Sequence, residues 1–309
     1  MTPCAPRCTR IPRRDGGDDV IVVAGGSGLL GRLVVSDLAA RGERVRVLVR
    51  DAGRARSVLG DDVEVVAGDV RSRDGLDELV DGARAVVSAV HGFLGGRGAG
   101  PVQVDERGNA SLVDAATAAG ADVVLVSVLG ASPDSPLELF RAKAHAEQHL
   151  RRSATPWTIV RPPAYLETWL AILTKTAGTS GRPLIFGRGD SPIRFVSAGD
   201  VASVVSRAAT DATLRGQVLE VAGEPLTMTD LARALQDARG WHGPPRHLPR
   251  TVLRTLAIAA RPICPAFARQ NHTALAMDTG QLTIDIQAAN TLGLPARTLS
   301  DVIARFVAS

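Results

Sequence analysis

Val20-Ile21-Val22-Val23-Ala24-Gly25-Gly26-Ser27-Gly28-Leu29-Leu30-Gly31 is the stretch that decides the fold of this chain. Five apolar residues in a row, with no polar alternation, read as a strand buried on both faces. Residues 29–41 then follow a helical pattern that Gly42 stops. Glycines stand where a strand–turn–helix junction needs them. Gly25 permits a tight turn, Gly28 lets backbone approach a ligand closely, and Gly31 lets the helix lie against the strand. A pyrophosphate fits the first amides of such a helix. No lysine follows the loop, which excludes the ATP- or GTP-binding P-loop.

Outward from this junction, short β-branched runs at 44–49, 63–67, 85–89, 123–127 and 157–160 alternate with helical patterns, notably 102–119 and 137–152. Strand and helix in strict alternation give βαβ units, and right-handed crossovers make their sheet parallel. The expected fold class is α/β: a doubly wound parallel Rossmann sheet over residues 19–161, with a smaller, mostly helical C-terminal substrate or lid subdomain over 162–309. That second part is expected to return one more strand to the sheet near 218–221 and to carry helices at 229–239, 251–260 and 299–307. The apolar turn at 253–260 reads as core packing, as the wall of a hydrophobic substrate site, or as a membrane-surface contact. Residues 1–18 read as a flexible leader, because Arg13-Arg14 is not followed by an apolar run of signal-peptide length.

Composition narrows the function. Hydrophobic residues make up 45% of the 309 and aromatics only 3%, so the core is aliphatic. The formal net charge is +4, but the arginines are scattered among acids without a basic, aromatic-laced stripe, so no nucleic-acid partner is expected. Three cysteines without a CxxC pair fit a reducing, cytoplasmic setting and provide neither a disulfide framework nor a zinc site. No stretch has the length and apolarity of a transmembrane helix. The expected partner is a small-molecule substrate; oligomeric state stays open, a homodimer included.

Cofactor choice turns on the end of the second strand, Leu48-Val49-Arg50-Asp51. An acid there would hold a ribose 2′-hydroxyl, whereas the guanidinium of Arg50 suits a 2′-phosphate; NADP is therefore expected, with NAD the lesser alternative because of Asp51. Gly68-Asp69-Val70 places a short acid beside an adenine edge or, alternatively, at the cap of a helix beginning near Ser72.

Together with Ser127, Ala142-Lys143-Ala144-His145-Ala146-Glu147, Thr158-Ile159-Val160-Arg161-Pro162 and Val196-Ser197-Ala198-Gly199-Asp200-Val201-Ala202, these motifs resemble the atypical short-chain dehydrogenases, specifically the NmrA-like and related NAD(P)H-binding proteins, over about residues 19–225. Residues 249–278 more loosely resemble members related to a complex I accessory subunit. The resemblance implies a cofactor set of Gly25, Ser27, Gly28, Leu29, Leu30, Gly31, Arg50, Asp69, Val70, Ala89, Val90, Lys143 and Pro163. Typical members use Ser, Tyr and Lys; here Ser127 and Lys143 match, but the tyrosine position, four residues before the lysine, is Leu139, and the one tyrosine of the chain is Tyr165.

The catalytic candidates are thus Lys143, His91, Tyr165 and Ser127. His91 follows the fourth strand, where an imidazole could move a proton. Lys143 reads as a holder of the nicotinamide ribose or as one half of an exposed i,i+4 pair with Glu147. Tyr165 is expected to face the same crevice. His145 and His149 lie on the far side of the Lys143 helix, and no metal site is expected. Residues 92–100 read as a glycine-rich loop flexing over the nucleotide. Three functions compete: an NAD(P)H-dependent oxidoreductase acting on a quinone, enone or carbonyl; a redox sensor or scaffold that binds NADP(H) without turnover; and a non-redox lyase, isomerase or cyclase.

Overall fold

Strand β1 (Val20–Ala24) is buried along its whole length, which requires a strand on each side and a helical layer on each face. The computed structural model, which describes residues 19–60, 63–221, 223–282 and 297–308, supplies both. After β1 come α1 (Leu29–Ala40), β2 (Arg44–Val49), α2 (Ala52–Leu59), β3 (Glu64–Ala67), α3 (Leu76–Val80) and β4 (Ala83–Ser88). A π-helical turn, Val102–Gly108, leads into α4 (Asn109–Ala119), followed by β5 (Asp122–Val126), α5 (Glu138–Arg152) and β6 (Trp157–Arg161). The rest comprises β7 (Ala164–Tyr165), α6 (Leu166–Ala177), β8 (Leu184–Phe186), β9 (Ile193–Val196), α7 (Ala198–Thr210), β10 (Val218–Glu220), β11 (Glu224–Leu226), α8 (Met228–Arg239), β12 (Arg246–Leu248), α9 (Arg250–Ala259), α10 (Pro265–Asp278) and α11 (Leu299–Ala308). The leader expected over 1–18 lies outside the described residues.

Seven strands form the main sheet in the order β10-β6-β5-β4-β1-β2-β3, and every neighbouring pair is parallel. The chain runs from β1 outward to β2 and β3 and then crosses back to β4 on the other side of β1, so the glycine loop sits at the switch point where such sheets open a crevice. Successive side chains of β1 feed two cores. Ile21 and Val23 pack with α1 and α7, whereas Val20, Val22 and Ala24 pack with α3 and α4. Each of the valines and the isoleucine contributes roughly 1.5–3 kcal/mol by leaving water.

Three expectations change. The region after residue 161 is not one separate unit: α7 lies on α1, and its small and β-branched face, Val201, Ala202, Val204, Val205 and Ala208, completes the main core. No helix begins near Ser72, so Asp69 caps none; the next helix starts at Leu76 behind Gly75, whose φ of 78° suits glycine alone. The helical pattern over 102–119 starts as a π turn rather than a regular α-helix.

A third core joins α6, β8, β9, α8, α10 and α11 through Leu170, Leu173, Ile185, Leu231, Leu235 and Ile303. It is pinned by Asp278, whose carboxylate accepts from the Gly189 amide at 2.7 Å and from Arg250 Nε at 2.5 Å. Among the described residues no helix is long and apolar enough to cross a membrane.

Burial is the largest influence on Asp278 and acts to raise its pKa, but the Gly189 amide and the Arg250 guanidinium together hold it below the usual carboxylate value. A lowered native pKa stabilises the fold above the ordinary carboxylate range, and that stability is lost as pH falls through the native value. Asp278→Ala is expected to cost about 1–3 kcal/mol at neutral pH. Urea unfolding at a series of pH values checks it: the gap between wild type and variant closes only on acidification below the ordinary carboxylate range.

Candidate nucleotide and active site

Gly25 turns the chain out of β1 at φ 85°, and a Cβ there would lie 2.9 Å from the Ala89 carbonyl oxygen. At Gly31 a Cβ would lie 2.2 Å from the Gly25 carbonyl oxygen, so α1 touches the loop that precedes it. Gly26, given no role by the sequence, is required as well: its Cβ would meet Val47 Cγ1 at 2.2 Å. That contact comes from the neighbouring strand and has no local signature. Gly28 and Ser27 are exposed. Gly28 is the N-cap of α1 and supplies no side-chain cap, and no acid stands in the first turn. The opening amides of α1 therefore face outward beside the strand ends, an arrangement that fits a pyrophosphate. Leu29 is half-buried, whereas the Leu30 side chain points into the core, so only its backbone can take part.

At the end of β2, Arg50 is exposed, while Asp51 Oδ1 caps α2 by accepting from the Arg54 amide at 3.0 Å. The acid that left the NAD reading open is thus committed to a helix end. Asp69 is gripped by Arg71, with Nε at 3.0 and 3.1 Å from its two oxygens and Nη2 at 2.7 Å. These hydrogen bonds hold its carboxyl below the usual range. Val70 presents no side chain to the crevice; it is buried under Gly108. Ala89 and Val90, just past β4, are half-buried beside Gly25.

The floor of the crevice is a buried ion pair. Lys143 Nζ lies 2.9 Å from the Val90 carbonyl, 2.8 Å from the Val126 carbonyl and 3.0 Å from Asp105 Oδ1, and it is 4% exposed. Two of its protons go to the carbonyls, and Asp105 Oδ1 meets the ammonium group as an ion-pair partner without an aligned hydrogen bond. Asp105 is fully buried, and its other oxygen accepts from the Gly92 amide at 2.7 Å. The exposed Lys143–Glu147 pair does not exist. Glu147 is 3% exposed and accepts from Ser127 Oγ at 2.5 Å and from Arg161 Nε and Nη2 at 2.9 and 2.6 Å. Ser127 is therefore turned towards α5 and occupied there. Asp105 was missed, although its signal was present: Asp105, Asn109, Leu112 and Ala116 stand at i, i+4, i+7 and i+11, a helical stripe that is buried throughout.

His91 is solvent-accessible. Surrounding protein lowers its pKa, Asp105 raises it, and Lys143 and Arg50 lower it again, for a net decrease that keeps the ring neutral at neutral pH. Tyr165 is half-buried against the main core; burial first, then Glu167, raises its pKa, so it holds its proton. Pro163 is half-buried. Leu139 joins an apolar cluster with Leu137, Phe140 and Ala276. His145 meets Glu106 at 3.1 Å and His149 meets Asp114 at 2.7 Å, and no metal-binding group of three or more ligands occurs among the described residues.

The glycine-rich loop is tethered on several sides: Gly92 to Asp105, the Gly98 carbonyl to Arg71 at 2.8 Å, the Phe93 and Gly95 carbonyls to Arg269, and Arg97 to the Pro262 carbonyl. A cavity of about 300 Å³ between the β2–β3 pair and α3 shares Gly68 and Asp69 with this region but none of the glycine-loop residues. Arg46, Glu64 and Glu78 line it, so it is a charged recess beside the crevice and not the crevice itself.

Residues 25–212 match the model of a family described as NAD(P)H-binding. The chain is 31% identical over 225 residues to the NAD(P)H azoreductase of Xenophilus azovorans, covering 72% of this chain and 74% of that protein. It is 30% identical over 254 residues to a mitochondrial NADH dehydrogenase [ubiquinone] 1 alpha subcomplex subunit 9 of Arabidopsis thaliana, covering 77% and 62%. Its fold matches the NADPH complex of the Escherichia coli NADPH-dependent quinone oxidoreductase with a TM-score of 0.75 at 23% identity, over 93% of this chain and 99% of that one.

Removing either partner of the buried ion pair leaves the other charge unpaired. Lys143→Met and Asp105→Leu are each expected to lower stability by about 3–5 kcal/mol, and the double variant to recover most of that loss. Urea unfolding of all four proteins checks it. A small stability change in Lys143→Met with a large rise in nucleotide Kd would instead put the ammonium group on the ligand.

Proposed function

The chain belongs to the NAD(P)H-binding family, within the atypical short-chain dehydrogenases its motifs resemble, and from that premise we propose that it is an NADPH-dependent reductase of a small, apolar, conjugated acceptor such as a quinone or enone. The observation that carries this reading is the pairing of an intact dinucleotide frame with a site in which no strong acid is available. Bound NADPH supplies a hydride. The uncapped amides of α1 hold the pyrophosphate, Gly28 lets it come close, and Arg50 takes the 2′-phosphate while Asp51 caps α2.

Among the four candidate catalytic residues, Ser127 is bonded to Glu147, Lys143 is surrounded by three oxygens, and Tyr165 holds its proton tightly. Reduction of a simple ketone builds charge on an alkoxide about as basic as hydroxide and needs a proton donor. Reduction of a quinone or enone leaves a phenolate or enolate, the former close to the tyrosine value of about 10. Such an anion takes its proton from solvent, and the N–H of the neutral His91 ring can donate a hydrogen bond to it. Lys143 acts by fixing the ends of β4 and β5, and Leu139 offers an apolar wall where typical members have tyrosine. Similarity to the azoreductase supports reduction of a conjugated acceptor. A cytoplasmic location is proposed from the cysteine usage alone.

Purified protein with NADPH is expected to reduce quinones at least about a hundredfold faster than unconjugated ketones, read as loss of nicotinamide absorbance. No oxidation across varied acceptors, with unequal affinities for NADP⁺ and NADPH, would favour the sensor reading. Product formed without net absorbance change would favour a lyase or isomerase.

Arg50→Ala is expected to weaken NADPH binding by about 1.5–3 kcal/mol and to leave NADH nearly unchanged. Calorimetric titration of both nucleotides checks it, and equal losses would refute the 2′-phosphate assignment.

A further inference from the structure

Six large apolar side chains are exposed among the described residues, and five of them lie on the α9–α10 hairpin or on the loop bonded to it. Val252 and Ile258 lie on α9, Ile263 in the turn after it, and Phe267 in the first turn of α10; Leu94 lies on the glycine-rich loop. Ile263 and Ile258 are the most open of all, at 84% and 76%. The loop is held to this hairpin by Arg97 on the Pro262 carbonyl and by Arg269 on the Phe93 and Gly95 carbonyls. Leu94 is therefore carried beside the hairpin tip. Residues 238–277 contain no Asp or Glu but six arginines. Arg250 and Arg269 pair with Asp278 and Glu138, whereas Arg254, one turn before Ile258 on α9, and Arg261, in the turn after that helix, are exposed.

An apolar tip ringed by unopposed guanidinium groups has the chemistry of an interfacial anchor. We propose that the α9–α10 hairpin docks on an anionic lipid surface, with Ile258, Ile263 and Phe267 entering the headgroup boundary and Arg254 and Arg261 meeting lipid phosphates. A second copy of the chain fits the surface poorly. A two-fold contact would set these arginines against their own counterparts, and five side chains are far fewer than the roughly 20–30 residues a side of a stable interface. The docking places the tethered loop, and with it the mouth of the crevice, at the lipid boundary. The inference stands on the hairpin alone, whether or not the reductase reading holds.

Full-length protein is expected to co-sediment with vesicles made of equal parts phosphatidylcholine and phosphatidylglycerol, and weakly with pure phosphatidylcholine. Ile258→Asp/Ile263→Asp should lower the partition coefficient at least about tenfold. Arg254→Gln/Arg261→Gln should remove the preference for anionic vesicles and most of its salt sensitivity. These positions are exposed, so unchanged circular dichroism and thermal midpoint separate lost docking from lost folding. Equal partitioning of wild type and the double aspartate variant overturns the proposal. So does a wild-type dimer in sedimentation velocity that the aspartates disperse while vesicles stay unbound, because a second copy then covers the tip.

Discussion

One ammonium group holds this architecture together at its working edge. Lys143 reaches from α5 to the carbonyl of Val90, just past β4, to that of Val126, the last residue of β5, and to a carboxylate from the π turn before α4. Parallel strands end in unpaired carbonyls at this edge, and buried carbonyls need donors. The lysine satisfies two of them, and Asp105 balances its charge where solvent is absent. Because the same aspartate accepts from the Gly92 amide, the loop over the crevice is fixed to the same point. The arrangement turns a side chain that could have touched ligand into part of the scaffold.

A second buried set stands beside it. Glu147 gathers Ser127 and Arg161, and Arg161 continues to Glu220 at 3.2 Å. It ties β5 to β6 and β10 as the first set ties β4 to β5. Ser127 and Lys143, on one edge of the sheet and one face of α5, thus carry structural contacts, while Ser27, Gly28, Arg50 and His91 stay exposed at the strand ends. That division suits hydride transfer, in which the protein mainly orients and excludes water.

The Rossmann half was legible because its signals are local. Buried parallel strands read as unbroken apolar runs, and Gly25 and Gly31 are demanded by turn and contact geometry within a few residues of themselves. Several details were not legible, each for a tertiary reason. Gly26 answers to Val47 on another strand, α7 was hidden by the glycines and prolines before it, and the exposed pair expected of Lys143 and Glu147 fails because each finds a buried partner from a different element. Asp105 could have been found by helical periodicity, yet an acid inside a core stripe has no meaning until the lysine opposite is known. Substrate-facing residues after Arg161 follow no short-range rule at all.

The last strand of the main sheet adds a constraint on how the molecule comes apart. Val218 pairs with Ile159, and between them the chain builds β7, α6, β8, β9 and α7, including nearly half of the buried residues of the third core. Loop-closure entropy grows only slowly with length, so a long excursion is tolerated at equilibrium. In time it is less forgiving, since contacts between residues distant in sequence are slow to form. Leu219 of β10 packs in the same core as α7 and β1, so opening at that edge loosens the main core along with the chain after residue 161.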